Sequence, residues 1–328
     1  MKRERNIMAL ALLLLGCGAA GDATPDTASK PPAARAARPE PARPQSFTVQ
    51  VTGSGPPVIL IPGLASSGET WSSTVAHLRA RRTCHVLTLA GFAGVPPSKG
   101  PLMARVRDEL AAYIEQHELD HPVVIGHSLG GTLALDLAAR HPGRVGPLVI
   151  VDSLPFLAGP WMQADSLAAA RPGLEKMRAS VTAWTPAQYQ AFARSGAATR
   201  YMVTSPENLK KVIEWGVASD ATTVGNAMME MLGTDLRADL ARIDSPALVL
   251  GTWIGLRDQL AASGQPATRE QIVQVFRDQY AGLERMRFAM SDGARHFIML
   301  DDPRWFFAQL DSFLADPAAA VRDRGFSR

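Results

Sequence analysis

Short apolar runs alternate with segments of helical spacing along most of the chain. The predicted strands are 47–51, 57–61, 84–89, 123–125, 148–151, 247–250 and 286–290. The predicted helices are 69–79, 103–119, 129–140, 269–280 and 305–314. Buried parallel strands read as continuous apolar runs, and helices join one strand to the next. The pattern therefore predicts an α/β fold with a mostly parallel central sheet and helices on both faces.

One stretch, about residues 154–242, interrupts this alternation and is rich in Met, Trp and Ala. We interpret most of its apolar residues as the core of a helical insertion. An insertion at this point of the chain lies over the carboxyl edge of the sheet, where open α/β folds bind ligands. We therefore expect a helical cap with adaptable methionines around an apolar substrate pocket.

The first 20 residues have the pattern of an export signal. Three basic residues precede the apolar run 7–15, and small residues follow it. That run is shorter than the roughly 20 residues needed to span a bilayer. Residues 14–17, Leu-Leu-Gly-Cys, resemble the bacterial lipobox, whose cysteine is acylated. We therefore expect an exported protein, lipid-anchored through Cys17 at the outer membrane or periplasmic, with ordinary secretion as the alternative.

Residues 21–45 are rich in proline, alanine and arginine, which predicts an extended, solvated linker. The folded domain is expected to cover residues 46–318. The net charge is +3, and it falls to +1 once the segment 2–5 is set aside. Because the folded part has no basic excess, a nucleic-acid partner is not expected. With two cysteines in 328 residues, the chain is not a disulfide scaffold, and Cys84 reads as a core residue.

The candidate nucleophile lies between a predicted strand and a predicted helix. Residues 126–130 read Gly-His-Ser-Leu-Gly, which is the G-x-S-x-G motif in a strand–turn–helix context. The strained turn places Ser128 at the positive end of the helix, and the two glycines avoid clashes with the neighbouring elements. We expect His127, beside the serine, to be structural rather than catalytic.

This motif and two further segments resemble the serine α/β-hydrolases of the esterase and lipase type, over roughly residues 47–315. Residues 59–64 look like the oxyanion loop of that family, with proline where many members have histidine. Residues 294–297, Ala-Arg-His-Phe, follow the last strand, where the family places its base. The resemblance implies that Ser128 attacks, that His296 is the base, and that the backbone N–H groups of Leu64 and Leu129 bind the oxyanion. It implies no cofactor and no metal.

The acid of the triad has two candidates. In many family members it follows the strand that corresponds to 247–250, but here that strand continues as Gly-Thr-Trp-Ile. Gly-Leu-Arg-Asp at 255–258 spells the expected G-x-x-D only after a few inserted residues. Asp152 directly follows the strand 148–151, a position that other members use. We favour Asp152 and keep Asp258 as the alternative; either would orient the histidine.

The sequence also contains a zinc-protease pattern, H-E-x-x-H, from His117 to His121. Zinc binding needs both histidines on one face of a helix, and the proline at 122 disfavours helical geometry at residue 121. We therefore expect a solvated helix end and no metal site.

The predicted function is the hydrolysis of a small, apolar carboxylic ester through an acyl-enzyme. Two alternatives stay open. The same triad could cleave amide or carbon–carbon bonds, because the fold does not determine the reaction. The second alternative is a non-catalytic binding protein on a hydrolase fold, and the joint placement of Ser128 and His296 argues against it.

Overall fold

The computed structural model describes residues 45–181, 184–262 and 267–319. The strands are β1 (Phe47–Gly53), β2 (Pro57–Ile61), β3 (Thr83–Leu89), β4 (Val123–His127), β5 (Leu148–Val151), β6 (Ala247–Thr252) and β7 (Met286–Ser291). In the sheet they lie in the order β1-β3-β2-β4-β5-β6-β7. The β1 strand is antiparallel to β3, and every other pair is parallel. The predicted fold class is therefore confirmed.

Helices pack on both faces of this sheet. The helices of the described ranges are α1 (Ser72–Leu78), α2 (Leu102–Gln116), α3 (Leu129–Arg140), α4 (Ala158–Met162), α5 (Leu167–Val181), α6 (Pro186–Arg194), α7 (Pro206–Val217), α8 (Ala221–Leu232), α9 (Ile254–Ala262), α10 (Arg269–Gln279), α11 (Ile298–Asp301) and α12 (Pro303–Ala315). The predicted helix 69–79 divides into a 3₁₀ turn, Gly68–Trp71, and α1. The predicted helix 103–119 ends earlier, at Gln116, because the chain turns left-handed at Glu118, where φ is 51°.

Because successive side chains of a strand point to opposite faces of the sheet, neighbouring strand residues belong to two different cores. Val124 and Ile150 pack with α2 and α3 on one face. Ile125 and Val149 pack with α12 on the other face. All four side chains are fully buried. Because both faces of the central strands are covered, the strands are apolar without interruption, as the sequence pattern indicated.

The order of the strands brings two loops of the site together. The chain runs from β2 to β3 on one side and then returns to place β4 on the other side of β2. In the parallel pair, Ile61 of β2 lies opposite Gly126 of β4. The loops that follow these strands therefore emerge side by side, at the switch point where open α/β sheets bind ligands.

The segment between β5 and β6 contains α4 to α8. Phe156 and Leu232 are buried in a small apolar cluster of this segment, with half-buried Trp161 and Met162 around them. The segment also binds loops at the carboxyl edge of the sheet. The N–H of Asp220 donates to the carbonyl of Gly91 (2.7 Å), just beyond β3, and the N–H of Phe297, beyond β7, donates to the carbonyl of Met202 (3.1 Å).

Within the three described ranges, no helix is both long and apolar enough to cross a membrane. Cys17, the predicted export signal and the linker up to residue 44 lie outside those ranges.

Candidate active site

Ser128 lies in a strained turn between β4 and α3. Its φ of 52° and ψ of −119° place it in a region that residues with a side chain rarely adopt. Three backbone hydrogen bonds hold it there: its N–H donates to the carbonyl of Val151 (2.9 Å), and its carbonyl accepts from the N–H groups of Gly131 (2.8 Å) and Thr132 (3.1 Å). The turn thus joins the nucleophile to the neighbouring strand and to its own helix.

The two glycines of the motif are required by close backbone contacts. A Cβ at position 126 would overlap the backbone of Gly130. A Cβ at position 130 would overlap the carbonyl oxygens of Ile61 and Pro62, at the end of β2. Gly126 and Gly130 therefore permit the sharp turn and the contact between α3 and the loop after β2.

The predicted oxyanion donors are Leu64, on the loop after β2, and Leu129, at the start of α3. A Cβ at Gly63 would lie 3.2 Å from the Cβ of Ser128, so the loop that contains Leu64 passes directly beside the nucleophile. Leu129 is the first residue of α3. Its N–H is one of the first four of the helix, which have no intrahelical acceptor, and the helix dipole adds positive potential there. This region suits a developing negative charge.

His296 is bound to Asp152. The Nδ1–H of His296 donates to Oδ2 of Asp152 at 2.6 Å, and the side chains are 25% and 15% exposed, respectively. The other carboxylate oxygen, Oδ1, accepts from the backbone N–H of Thr252 at 3.1 Å. Because the carboxylate accepts the Nδ1 proton, the Nε2 atom of the histidine is left as the proton acceptor.

Asp258 belongs to a different network. Its carboxylate contacts the guanidinium of Arg257 at 2.7 Å and that of Arg295 at 2.9 Å. Burial alone would raise the pKa of this carboxyl, but the two arginines outweigh burial and lower it. In the structure, Asp152 thus binds His296, whereas Asp258 forms an ion pair with Arg295, the residue that precedes the histidine.

His127 supports the loop that contains His296. Its ring is buried, and Nε2–H donates to the backbone carbonyl of His296 at 3.0 Å. Its Nδ1 is buried without a hydrogen-bond partner. Burial, and secondarily the nearby His296, lower the pKa of His127 well below its ordinary value. The neutral ring packs between His296 and Phe297, with centroids 4.5 Å from each.

Thr252 is a residue of the site that the sequence analysis did not single out. Besides its N–H bond to Asp152, its hydroxyl donates to the carbonyl of Ala294, two residues before the histidine. One signal was available in the sequence: a polar residue ends an apolar strand at the position where the family's acid is expected.

The histidines of the zinc-protease pattern are not on one helix. The α2 helix ends at Gln116, so His117 caps the helix, while His121 lies beyond it with φ of 42°. His121 is exposed and pairs with Asp120 at 2.6 Å. Among the described residues, no three His, Cys, Asp or Glu side chains are grouped so that they could hold a metal ion.

A family model described as "Alpha/beta hydrolase family" matches residues 58–309. A pimeloyl-[acyl-carrier protein] methyl ester esterase from Nitrosospira multiformis is 25% identical over 273 residues, which are 82% of this chain and 98% of that protein. Another protein of that name, from Aromatoleum aromaticum, is 34% identical over 113 residues, which are 32% of this chain and only 43% of that relative. The solved structure of an esterase from Exiguobacterium antarcticum has the same fold, with a TM-score of 0.64 at 16% identity over 82% of this chain and 96% of that one.

Proposed function

The chain belongs to the alpha/beta hydrolase family, and from that premise we propose that it is a serine hydrolase of small, apolar carboxylic esters. The observation on which the proposal rests most is the 2.6 Å hydrogen bond between His296 and Asp152. Both residues lie near the strained turn of Ser128, because Val151 accepts from the N–H of Ser128 and His127 donates to the carbonyl of His296. The names of the relatives support an ester rather than an amide or a carbon–carbon bond. The protein from Nitrosospira multiformis is a methyl ester esterase and that from Exiguobacterium antarcticum an esterase.

In the proposed reaction, Oγ of Ser128 attacks the ester carbonyl while Nε2 of His296 accepts its proton. Asp152 retains its hydrogen bond to Nδ1 and stabilises the imidazolium that forms. The N–H groups of Leu64 and Leu129 bind the developing oxyanion, and removal of one such donor typically costs about 3–4 kcal/mol of transition-state stabilisation. The histidine then protonates the leaving alcohol, and a water molecule that it activates releases the acid from the acyl-enzyme.

The proposal is tested with chromogenic esters of increasing acyl length, together with an anilide of the preferred acyl group. We expect ester turnover, which Ser128→Ala should lower by roughly 10⁴–10⁶ in kcat. A fluorophosphonate probe should label the wild type but not this variant. Labelling that persists in Ser128→Ala would show a different nucleophile, and an unlabelled, inactive wild type would favour a binding protein on a hydrolase fold.

We also propose that the protein is exported and anchored to the membrane through a lipid on Cys17. The support is the sequence pattern alone: basic residues, a short apolar run, and the Leu-Leu-Gly-Cys segment at 14–17. Cys17→Ser should move the protein from the membrane fraction to the soluble fraction. A clickable fatty acid should label only the wild type. An unlabelled wild type would indicate that the segment is an ordinary export signal.

A further inference from the structure

The backbone of the loop that contains His296 is bound at each of its four residues. Four of the partners, one for each residue from Ala294 to Phe297, are the hydroxyl of Thr252, a carboxylate oxygen of Asp301 (3.0 Å), Nε2 of His127 (3.0 Å) and the carbonyl of Met202 (3.1 Å). Of these four partners, Thr252 is the one that also binds Asp152, through its backbone N–H at 3.1 Å. A single residue therefore contacts both the acid and the loop of the base.

We propose that Thr252 is a positioning residue that fixes Asp152 and His296 relative to each other. The inference rests on the proposed function, because it assigns how that same catalytic pair is aligned. Thr252 is the last residue of β6, which lies between β5 and β7 in the sheet. Asp152 directly follows β5, and Ala294 follows β7. The position of Thr252 in the sheet thus lets it reach both neighbouring loops.

The two donors of Thr252 have separate tasks. The backbone N–H binds Oδ1 of Asp152, which orients the carboxylate so that Oδ2 receives Nδ1–H of His296. The hydroxyl binds the carbonyl of Ala294 and sets the position of the loop from which the imidazole projects. The side chain of Thr252 is held firmly, because the residue is buried, with 6% of its surface exposed.

Alignment of this pair matters because the imidazolium exists only during the reaction. The carboxylate stabilises it fully only where the donor and acceptor already lie in hydrogen-bonding geometry. A misplacement of about 1 Å in a catalytic group can cost on the order of 10²-fold in rate. Loss of the hydroxyl bond should shift the loop by less than this, since the other hydrogen bonds of residues 294–297 still hold it. We therefore expect a loss of roughly tenfold.

The test removes the hydroxyl and keeps the backbone donor. Thr252→Val has nearly the same shape as threonine, and we expect it to lower kcat roughly tenfold with little change in KM. The acidic limb of its kcat/KM–pH profile should move to lower pH, because the imidazolium is less well stabilised. Thr252→Ser, which restores the hydroxyl, should recover most of the lost rate. The matched control is Thr83→Val at the start of β3, which also removes a threonine-to-carbonyl hydrogen bond, to Gly55 (2.8 Å).

A double mutant shows whether Thr252 acts through the pair. In an Asp152→Asn background, Thr252→Val should cause little further loss in the rate of fluorophosphonate labelling, because residues that act as a unit are not additive. An equal loss in both backgrounds would overturn the proposal. So would a folded Thr252→Val enzyme with the kcat and pH profile of the Thr83→Val control. If the valine variant does not fold, Thr252→Ala takes its place in each comparison.

The two proposals fail in different ways. A wild-type protein without Ser128-dependent turnover or labelling would end the proposed function. A wild type that has this activity, with Thr252 variants indistinguishable from the control, would overturn the positioning role alone.

Discussion

Replacement of Asp152 by asparagine tests the assignment of the acid most directly. The two residues have nearly the same size, so the change alters the hydrogen bonding with little effect on packing. The aspartate accepts from two donors, Nδ1–H of His296 at 2.6 Å and the N–H of Thr252 at 3.1 Å. An asparagine has one accepting and one donating end. The outcome depends on which end faces which partner.

The backbone donor of Thr252 determines that orientation. Its N–H cannot become an acceptor, so the oxygen of the asparagine faces Thr252 and the NH₂ group faces Nδ1 of His296. Nδ1 must then accept, and the ring proton moves to Nε2. In this tautomer His296 cannot take the proton of Ser128. In a related triad this kind of change lowers kcat by about 10⁴, which corresponds to about 5 kcal/mol of transition-state stabilisation.

The assay compares the kcat of Asp152→Asn and Asp258→Asn on the preferred ester near pH 8, above the usual titration range of histidine. The second variant is the matched control, because its partners are Arg257 and Arg295 rather than the base. We expect Asp258→Asn to retain kcat within about threefold, since partly exposed ion pairs contribute about 1 kcal/mol or less. Circular dichroism and thermal unfolding first establish that both variants are folded. A severe loss in Asp258→Asn beside a nearly normal Asp152→Asn would refute this reasoning.

Two further predictions concern the support of the site. Gly130→Ala should abolish ester turnover and lower the free energy of unfolding by about 1–3 kcal/mol, because the added Cβ overlaps the carbonyl of Ile61 and displaces the loop 62–64. Measurements of kcat and of urea unfolding test the two effects. An unchanged kcat would contradict the prediction. The lowered pKa of His127, caused mainly by burial, means that below about pH 6.5 the unfolded state binds a proton that the native state does not. The free energy of unfolding should therefore fall as the pH drops below that value, and the fall should be smaller in His127→Gln. Urea unfolding of both proteins at pH 5 and pH 8 tests this. An equal pH dependence in the two proteins would contradict it.

Much of the fold follows from local patterns in the sequence. Apolar runs such as 57–61 and 148–151 predict buried parallel strands because both of their faces need cover. The segment 126–130 predicts a strained turn because its glycines remove the side chains that would block it. These signals depend on neighbours along the chain, and the structure has strands and the turn at these positions.

The identity of the residue that binds His296 was decided by tertiary structure. Asp152 and Asp258 each follow a strand in the sequence, and the pattern favours Asp152 without establishing which carboxylate reaches the histidine. In the fold, Asp258 lies on α9 and contacts Arg295, while Asp152 leaves β5 beside β6 and meets Thr252 and His296.

The role of Thr252 likewise depends on tertiary contacts and not on the local sequence pattern. In the sequence it is one polar residue at the end of an apolar strand, more than 40 residues before Ala294 and 100 residues after Asp152. The sheet places β6 between the strands that lead to both of these residues, so two distant segments become its hydrogen-bond partners. Periodicity and turn chemistry are local properties, so the strands and the turn at Ser128 follow from the order of residues along the chain. The lateral order of the strands determined which side chains meet there, because hydrogen bonding depends on distances that only the assembled sheet sets.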